Sequence, residues 1–185
     1  MDGATRRARF EQVIAPHYPI LYRTARRLAR SDPDGQDLVQ ETCLRAFRTF
    51  DGFTPGTNAK AWLFTILYSV FINRTRRARH EPEPMPGDQI DARYAGHVEA
   101  SVATPVVQWT EPEVERALDA LPDTFRAAVL LVDVEELTYE EAATVLTCPV
   151  GTVRSRLFRG RKLLMVSLAE FASRAGFAVV KEEGR

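Results

Sequence analysis

Five positive charges lie in one short stretch, residues 148–164, which reads CPVGTVRSRLFRGRKLL. No acidic residue lies between positions 142 and 169. Like charges at this density repel one another unless a polyanion neutralises them, and the phosphates of nucleic acid can do so. A face that is merely solvated, which is the usual meaning of a charge run, normally mixes both signs. The stretch therefore predicts contact with DNA.

The helical wheel divides this stretch into two faces. Val153, Leu157 and Gly160 fall in one narrow sector, which predicts the core face, with Gly160 allowing close approach of another helix. Pro149 suits the first helical position. With the short helix and the turn TCPVG before it, the stretch has the pattern of a helix-turn-helix, whose second helix enters the major groove. The residues predicted to face DNA are Thr152, Arg154, Ser155, Phe158, Arg159, Arg161 and Lys162, with Arg156 on the flank.

A second cationic helix is predicted from about Ala59 to Arg79, again without an acidic residue. Its apolar face is formed by Leu63, Ile66, Leu67 and Val70. Another line along it carries an aromatic ring, hydroxyls, an amide and a base. Aromatic platforms beside cations suit single-stranded nucleic acid, because every unpaired base offers a π face. Ordinary core packing would equally explain Trp62 taken alone. The line comprises Trp62, Thr65, Ser69, Ile72, Asn73 and Arg76.

The helix predicted from Asp34 to Phe50 raises a different question, because its outer face is acidic and also carries a leucine. Asp34 is predicted to cap it. Its apolar stripe runs through Val39, Cys43, Ala46, Phe47 and Phe50. A single exposed leucine is common on protein surfaces. Together with its polar neighbours, however, Leu44 indicates a docking face for a basic partner protein. That face comprises Asp37, Gln40, Glu41, Leu44 and Arg48.

The chain as a whole is predicted to be all-α, with two small helical domains at residues 10–80 and 112–173. Nothing alternates with period two, so strands are not expected. Residues 81–111 hold six acidic residues against one basic residue, together with four prolines. Such a composition disfavours a packed core, and it predicts a flexible acidic linker. A passive tether and a functional segment are equally compatible with this composition.

Composition argues against several other classes of protein. The 185 residues hold 25 basic and 25 acidic side chains, so the net charge is zero and the charge is segregated by segment. His17, His80 and His97 lie far apart without metal-ligand spacing. No glycine-rich phosphate-binding motif is present. We therefore expect no enzyme, metal or cofactor. Cys43 and Cys148 are expected to be reduced, and without a signal sequence or bilayer-length apolar run we expect a cytoplasmic protein without membrane insertion.

Three segments in this order resemble one family, the extracytoplasmic-function (ECF) sigma factors of bacterial RNA polymerase. DLVQETCLRAFRTFDGF is similar to the family's clamp-binding helix, and NAKAWLFTILYSVFINRTRR to its promoter-melting helix. The segment from ALPDTFRAAV to RGRKLL resembles its entire second domain. The resemblance covers about residues 10–172.

The resemblance implies a role for each set of residues. Asp37, Gln40, Glu41 and Leu44 would face the clamp coiled coil of the polymerase's largest subunit. The second domain, residues 112–173, would read the distal promoter element as duplex through the seven residues given above. The first domain would melt the proximal element and hold an unpaired base, and the family often has an asparagine where this chain has Ser69. The residues implied for that step are Asn58, Trp62, Ser69, Asn73, Arg74, Arg76 and Arg77.

The partners implied by the resemblance are core RNA polymerase, including the flap of its second-largest subunit, and promoter DNA. Family members are commonly held inactive by an anti-sigma factor placed between the domains, so such a partner is also implied. The alternative is a stand-alone helix-turn-helix regulator. That class would need a ligand pocket or a dimer helix in its first domain, where this chain has a cationic, Trp-bearing helix.

Overall fold

The computed structural model describes residues 3–79 and 110–174, and all regular structure within those ranges is helical. The predicted all-α fold is confirmed. The predicted linker lies outside the described residues except for its last two positions, and the domain boundaries stay predictions. In the N-terminal half (residues 3–79) the helices are α1 Gly3–Ile14, α2 Tyr18–Ala29, α3 Asp32–Thr49 and α4 Ala59–Arg79. In the C-terminal half (residues 110–174) they are α5 Glu111–Asp119, α6 Asp123–Val129, α7 Tyr139–Leu146 and α8 Val150–Arg174.

Helix α3 begins earlier than the sequence predicted. Its N-cap is Ser31, whose hydroxyl accepts a hydrogen bond from the Asp34 backbone N–H at 3.4 Å. Asp34 therefore lies inside the first turn, where its charge favours the helix dipole, and the prediction that it caps the helix was wrong. Gly35 is buried against α2: a Cβ at this position would lie 2.7 Å from the Cα of Arg26. Only glycine permits this close crossing of the two helices.

The core of the N-terminal half is built from one face each of α2, α3 and α4, and α1 covers one edge of it. The ring of Phe10 in α1 packs edge-to-face against Phe47 and Phe50, with ring centroids 5.2 and 5.4 Å apart. Edge-to-face contacts of this kind add to the free energy gained from area burial. The remaining buried positions follow the period of a helix and include Leu21, Ala25, Leu28, Leu38, Val39, Leu63, Leu67 and Val70.

The C-terminal half ends in the predicted helix-turn-helix. Helix α7 opens with the predicted capping box, because Thr138 and Glu141 exchange hydrogen bonds between side chain and backbone. Helix α8 begins at Val150. Pro149 therefore lies directly before the helix, whereas the sequence predicted it at the first helical position. Val153, Leu157 and Gly160 are buried as predicted, and a Cβ on Gly160 would lie 2.8 Å from a methyl group of Val129.

The two halves pack against each other, a relation that the sequence did not predict. Helix α4 packs against α7, and α2 packs against α5 and α6. The guanidinium of Arg126, which is 1% exposed, donates a hydrogen bond to the Leu28 carbonyl at 2.8 Å. Arg30 donates to the Leu121 carbonyl at 2.7 Å. The surface between the halves is therefore partly polar, as is typical of interfaces that form and separate.

Candidate nucleic-acid interface

Helix α8 presents the predicted reading face to solvent. The side chain of Phe158 is 65% exposed, and Arg154 is also exposed. Thr152, Ser155, Arg159 and Lys162 are partly exposed on the same side, and the Ser155 hydroxyl donates to the Thr152 carbonyl at 3.0 Å. The Phe158 ring is therefore accessible to a partner.

Two cationic residues of α8 have surroundings that differ from those predicted. Arg156 was placed on the flank of the outer face, but it is 5% exposed and donates to the Cys148 sulfur at 3.7 Å. Arg161 is exposed and makes two hydrogen bonds to the Asp133 carboxylate, at 3.0 and 2.5 Å. These bonds, weighed against some burial, raise the pKa of Arg161. The charge of Arg161, which was predicted to face DNA, is therefore already partly compensated by Asp133.

Arg154 rests on an aromatic ring that the sequence reasoning missed. Its guanidinium carbon lies 5.4 Å from the ring centroid of Tyr139, the first residue of α7. This distance is within the range of a cation–π interaction. The ring limits the conformations that the Arg154 side chain can adopt. Only the position of Tyr139 at the start of α7, directly after the capping threonine, could have indicated that it faces the next helix.

The outer face of α3 is exposed as predicted. Asp37 and Gln40 are exposed, and Leu44 is 53% exposed. Glu41 is half-buried, and it accepts hydrogen bonds from Arg45 at 2.7 Å and from Arg74 at 2.9 Å. Burial opposes ionisation, but these two guanidinium groups outweigh it and lower the pKa of Glu41. The face predicted to bind polymerase is therefore fixed to α4 through Glu41 and Arg74.

The predicted strand-binding face of α4 is only partly open. Trp62 is half-buried, with its ring 4.8 Å from the ring of Phe53 and 6.3 Å from that of Phe50. Ser69 and Arg77 are exposed, whereas Asn73 and Arg76 are half-buried. Because Arg74 also donates to the Asp37 carbonyl at 3.1 Å, it points to α3 and away from this face. Packing against Phe50 and Phe53 therefore covers part of the Trp62 side chain, and the remainder is accessible.

Asn58 serves as the N-cap of α4, a role not predicted for it. Its side-chain oxygen accepts a hydrogen bond from the Ala61 N–H at 3.1 Å, and its amide group donates to Glu141 of the C-terminal half at 2.5 Å. The loop before it turns at Gly56, which has a positive φ of 87°. Only glycine adopts this conformation without strain.

A cavity of about 490 Å³ opens beside this loop. It is bounded on one side by the loop and on the other by α1 and the turn after it, which sequence reasoning did not include. Burial and the nearby Lys60 ammonium lower the pKa of His17 in its wall. This volume falls within the range of small-molecule binding pockets. Its lining includes Arg9, Gln12, His17, Phe53, Pro55 and Thr57.

The described ranges contain no cluster of His, Cys, Asp or Glu that could hold a metal ion. Across the same ranges, no helix is long and apolar enough to cross a membrane.

A helix-turn-helix with an open reading face, joined to a second cationic helix, defines a DNA-binding protein of transcription. The family described as Sigma-70 region 2 matches residues 13–81, and the family described as Sigma-70, region 4 matches residues 112–164. The chain belongs to the sigma-70 family of RNA polymerase sigma factors, in its extracytoplasmic-function group.

Individual relatives agree with this assignment. The chain is 37% identical to the ECF sigma factor SigE of Mycolicibacterium smegmatis over 89% of its own length and 63% of that protein's. It is 39% identical to the ECF sigma factor EcfG of Rhodopseudomonas palustris, covering 81% of this chain and 80% of the relative. The solved sigma factor RpoE of Bartonella quintana, in complex with the anti-sigma factor NepR, superposes with a TM-score of 0.67 at 30% identity, covering 86% and 96%.

Proposed function

We propose that this sigma factor binds core RNA polymerase through the outer face of α3 and brings it to promoters that α8 reads as duplex DNA. The domains that divide this task are residues 10–80 and 112–173, joined by the acidic segment 81–111. Bond formation belongs to the polymerase, so the chain needs no catalytic residue, metal or cofactor of its own. The proposal places it in the cytoplasm, where the polymerase acts.

The observation that carries this proposal is the connection between α3 and α4. Glu41 and Arg74 join the exposed Asp37, Gln40 and Leu44 of α3 to the helix predicted to hold the unpaired strand. A partner that binds α3 therefore also fixes the position of α4. A repressor gains nothing from this coupling, whereas an initiation factor needs it to open DNA next to the polymerase active site. The polymerase clamp coiled coil and flap are the surfaces we propose for the two halves.

The neighbour from Bartonella quintana carries a bound anti-sigma factor, and by analogy we propose a partner of the same kind for this chain. Such a partner would have to cover surfaces that polymerase or promoter DNA also uses. Competition between the purified anti-sigma factor and core polymerase for the full chain would test this. Simultaneous binding of both would contradict it.

The polymerase proposal is tested by co-purification of the full chain with core polymerase and by transcription from a cognate promoter. Leu44→Ala combined with Asp37→Arg should weaken core binding by about 2 kcal/mol or more, the effect of removing an interface hot spot. Glu41 is left intact because its loss would also release Arg74. Thr49→Ala, at an exposed position of α3 outside that face, is the control.

Undiminished core binding by the double variant would remove the α3 assignment. Binding to promoter duplex without any polymerase-dependent transcription would instead favour the stand-alone regulator.

A further inference from the structure

Helix α1 is joined to the end of α3 by the side chain of Arg6. The Arg6 guanidinium donates hydrogen bonds to the Phe47 carbonyl at 2.7 Å and to the Asp51 carboxylate at 3.0 Å. A longer hydrogen bond reaches the Arg48 carbonyl at 3.4 Å, and the guanidinium carbon lies 4.5 Å from the centre of the Phe47 ring. The last carbonyls of a helix have no partner within it, and the helix dipole favours a positive charge there. Arg6 therefore caps the end of α3 from another helix.

Aromatic rings continue this contact into the loop at residues 53–58. The ring of Phe10 in α1 packs edge-to-face against Phe50. The Phe50 ring stacks on Phe53, with ring centroids 6.0 Å apart and ring planes 14° apart. The Phe53 centroid in turn lies 4.8 Å from that of Trp62. Because closely packed side chains leave few voids, a displacement of one ring is transmitted to the next.

The loop itself is attached to the helices at its two ends. Residues 54–58 are exposed. The Thr57 N–H and hydroxyl both donate to the Thr54 carbonyl, at 3.2 and 2.7 Å, so these bonds shape the turn from within. At one end the Phe53 N–H bonds to the Phe50 carbonyl at 3.0 Å, and at the other Asn58 caps α4. The position of the loop therefore depends on how firmly the end of α3 is held.

Covering the core does not explain why α1 carries an arginine at this position. Phe10 and Ile14 are buried, and their burial alone favours packing of α1 on the core. Arg6 lies one turn earlier, and its side chain is 22% exposed, with its donors directed at the end of α3 and the turn after it. The match to Sigma-70 region 2 begins at residue 13, so Arg6 lies before the matched segment. Its role follows from the contacts of this chain.

We propose that Arg6 is a positioning residue for promoter opening. It holds the end of α3 and the turn that carries Asp51. Through Phe50 and Phe53 it sets the ring of Trp62, one of the residues proposed to hold the unpaired strand. A site that is already held in its binding conformation loses less conformational entropy when the ligand binds. The inference rests on the proposed function for the strand, whereas the positioning itself can be measured on the free chain.

The first test follows the fluorescence of Trp62 in the full chain. The sequence has two tryptophans, so Trp109→Phe leaves Trp62 as the only one. In that background Arg6→Gln should shift the Trp62 emission to longer wavelength and increase its quenching by acrylamide, because Phe53 then covers the ring less firmly. Arg7→Gln removes the same charge from a residue whose partner is Glu11 on the same helix, and it should leave both unchanged. Wild-type emission and quenching in a folded Arg6→Gln chain overturn the positioning.

Asp51→Asn weakens the same contact from the other side. The Asp51 side chain is 68% exposed, so its replacement does not disturb the core. An asparagine oxygen can still accept from Arg6, but the hydrogen bond loses the assistance of the charge. The Trp62 fluorescence should change in the same direction as in Arg6→Gln and by less. If Arg6→Gln folds poorly by circular dichroism, this variant decides, and unchanged fluorescence in it overturns the positioning.

The second test measures the affinity of the polymerase holoenzyme for two single-stranded oligonucleotides of equal length, one with a cognate proximal element and one of unrelated sequence. A change in phosphate contact or in charge affects both equally, whereas the position of the site affects the sequence-dependent part. Arg6→Gln should lower the ratio of the two affinities by roughly three- to tenfold, the effect of one net hydrogen bond. Asp51→Asn should lower the ratio by less, and Arg7→Gln should keep it. If Arg6→Gln weakens both affinities evenly, Arg6 contacts phosphate and the positioning role is wrong.

Co-purification with core polymerase separates this inference from the proposed function. If the wild type and all variants bind polymerase and transcribe, yet neither the Trp62 fluorescence nor the affinity ratio responds, the positioning alone is wrong. If the chain does not bind polymerase while the fluorescence responds to Arg6→Gln and Asp51→Asn but not to Arg7→Gln, the positioning stands and the proposed function fails.

Discussion

The two cationic helices of this sigma factor differ in how their functional groups are engaged. On α8, Arg154 and Phe158 point to solvent, and the neighbouring contacts come from its own half, as with Tyr139 under Arg154. On α4, Arg74 is bound to Glu41, and Lys60 is bound to Glu135 of the other half. The face proposed to read duplex DNA is thus exposed, whereas part of the face proposed to hold the unpaired strand is engaged by other side chains.

This difference indicates an order of events. A helix that meets an existing duplex can be preformed, because the groove it enters is already there. A surface that holds unpaired bases has no ligand until the duplex opens. Substitutions on either helix should therefore affect different steps of initiation.

The largest effect is expected on the open face of α8. Arg154→Ala should weaken binding to the distal element by about 1–3 kcal/mol, the value of a good base contact, and should relax the preferred sequence. Lys162→Ala should weaken binding evenly across sequences and reduce the salt dependence by about one released counterion. Binding of polymerase holoenzyme to a panel of distal-element variants at several salt concentrations measures both.

The assignment of this face has a clear contrary result. If Lys162→Ala shifts the preferred sequence while Arg154→Ala leaves it unchanged, the roles of base reading and phosphate contact have been assigned to the wrong residues. Arg161 provides an internal comparison, since its pair with Asp133 leaves less charge for a phosphate. Arg161→Ala should therefore reduce the salt dependence less than Lys162→Ala does.

The sequence predicted the helices and the exposed faces because both depend on local periodicity. Val153 and Leu157 lie on the core side as the wheel required, and Thr138 caps α7 as its spacing with Glu141 required. The contact between Glu135 and Thr24 could not be predicted in this way. It joins residues 111 positions apart, and nothing in the neighbourhood of either one indicates a buried partner.

Arg156 shows a second limit of local reasoning. It is adjacent in sequence to exposed cations, and the wheel places it near the boundary of the two faces. Its burial against Cys148 depends on how α7 and α8 cross, which a wheel of one helix does not contain. Side chains near a face boundary are therefore the least predictable members of a recognition helix.

The next effect concerns Tyr68 of α4, which reports the contact between the halves. Burial raises its pKa to about 12, and charges of the C-terminal half, including Arg156 and Asp123, act on it. In the unfolded chain the phenol ionises near pH 10. The stabilising effect of the neutral phenol is complete below about pH 10 and is lost toward pH 12, at up to roughly 1.4 kcal/mol per pH unit.

Urea unfolding of wild type and Tyr68→Phe at increasing pH measures this loss. Because phenylalanine cannot ionise, the Tyr68→Phe variant should gain free energy of unfolding relative to wild type only at alkaline pH. Tyr18→Phe, at a position that is 48% exposed, is the control. The same pH dependence for all three proteins would show that Tyr68 is not buried between the halves in solution.

A smaller effect is expected from Asn73, which is half-buried on α4. Asn73→Ala should slow promoter opening by about 0.5–1.5 kcal/mol, the net value of one hydrogen bond. Closed-complex binding should change little, and a template with a pre-melted bubble should rescue most of the defect. Asn58→Ala is less suitable, because removing this N-cap also costs about 1 kcal/mol of helix stability.

Permanganate footprinting on duplex and bubble templates distinguishes the steps for Asn73→Ala. Equal defects on both templates would mean that the residue acts after melting or through folding, and the contrast between the two cationic helices would lose its functional basis.

The smallest expected effect concerns how the Arg154 side chain is positioned on the exposed face of α8 before DNA binds. Tyr139 supports Arg154 from α7, and a cation–π contact at an exposed site contributes about 0.5–1 kcal/mol. Tyr139→Leu should therefore weaken distal-element binding by about that amount, because Arg154 must then be ordered at the moment of binding. Tyr139→Phe retains the ring and should bind nearly as wild type. The effect of Tyr139→Leu should also disappear in an Arg154→Ala background, since the ring acts through that side chain. Additive losses in this double-mutant cycle would show that Tyr139 contributes only to the packing of α7, and that Arg154 is ordered by α8 alone.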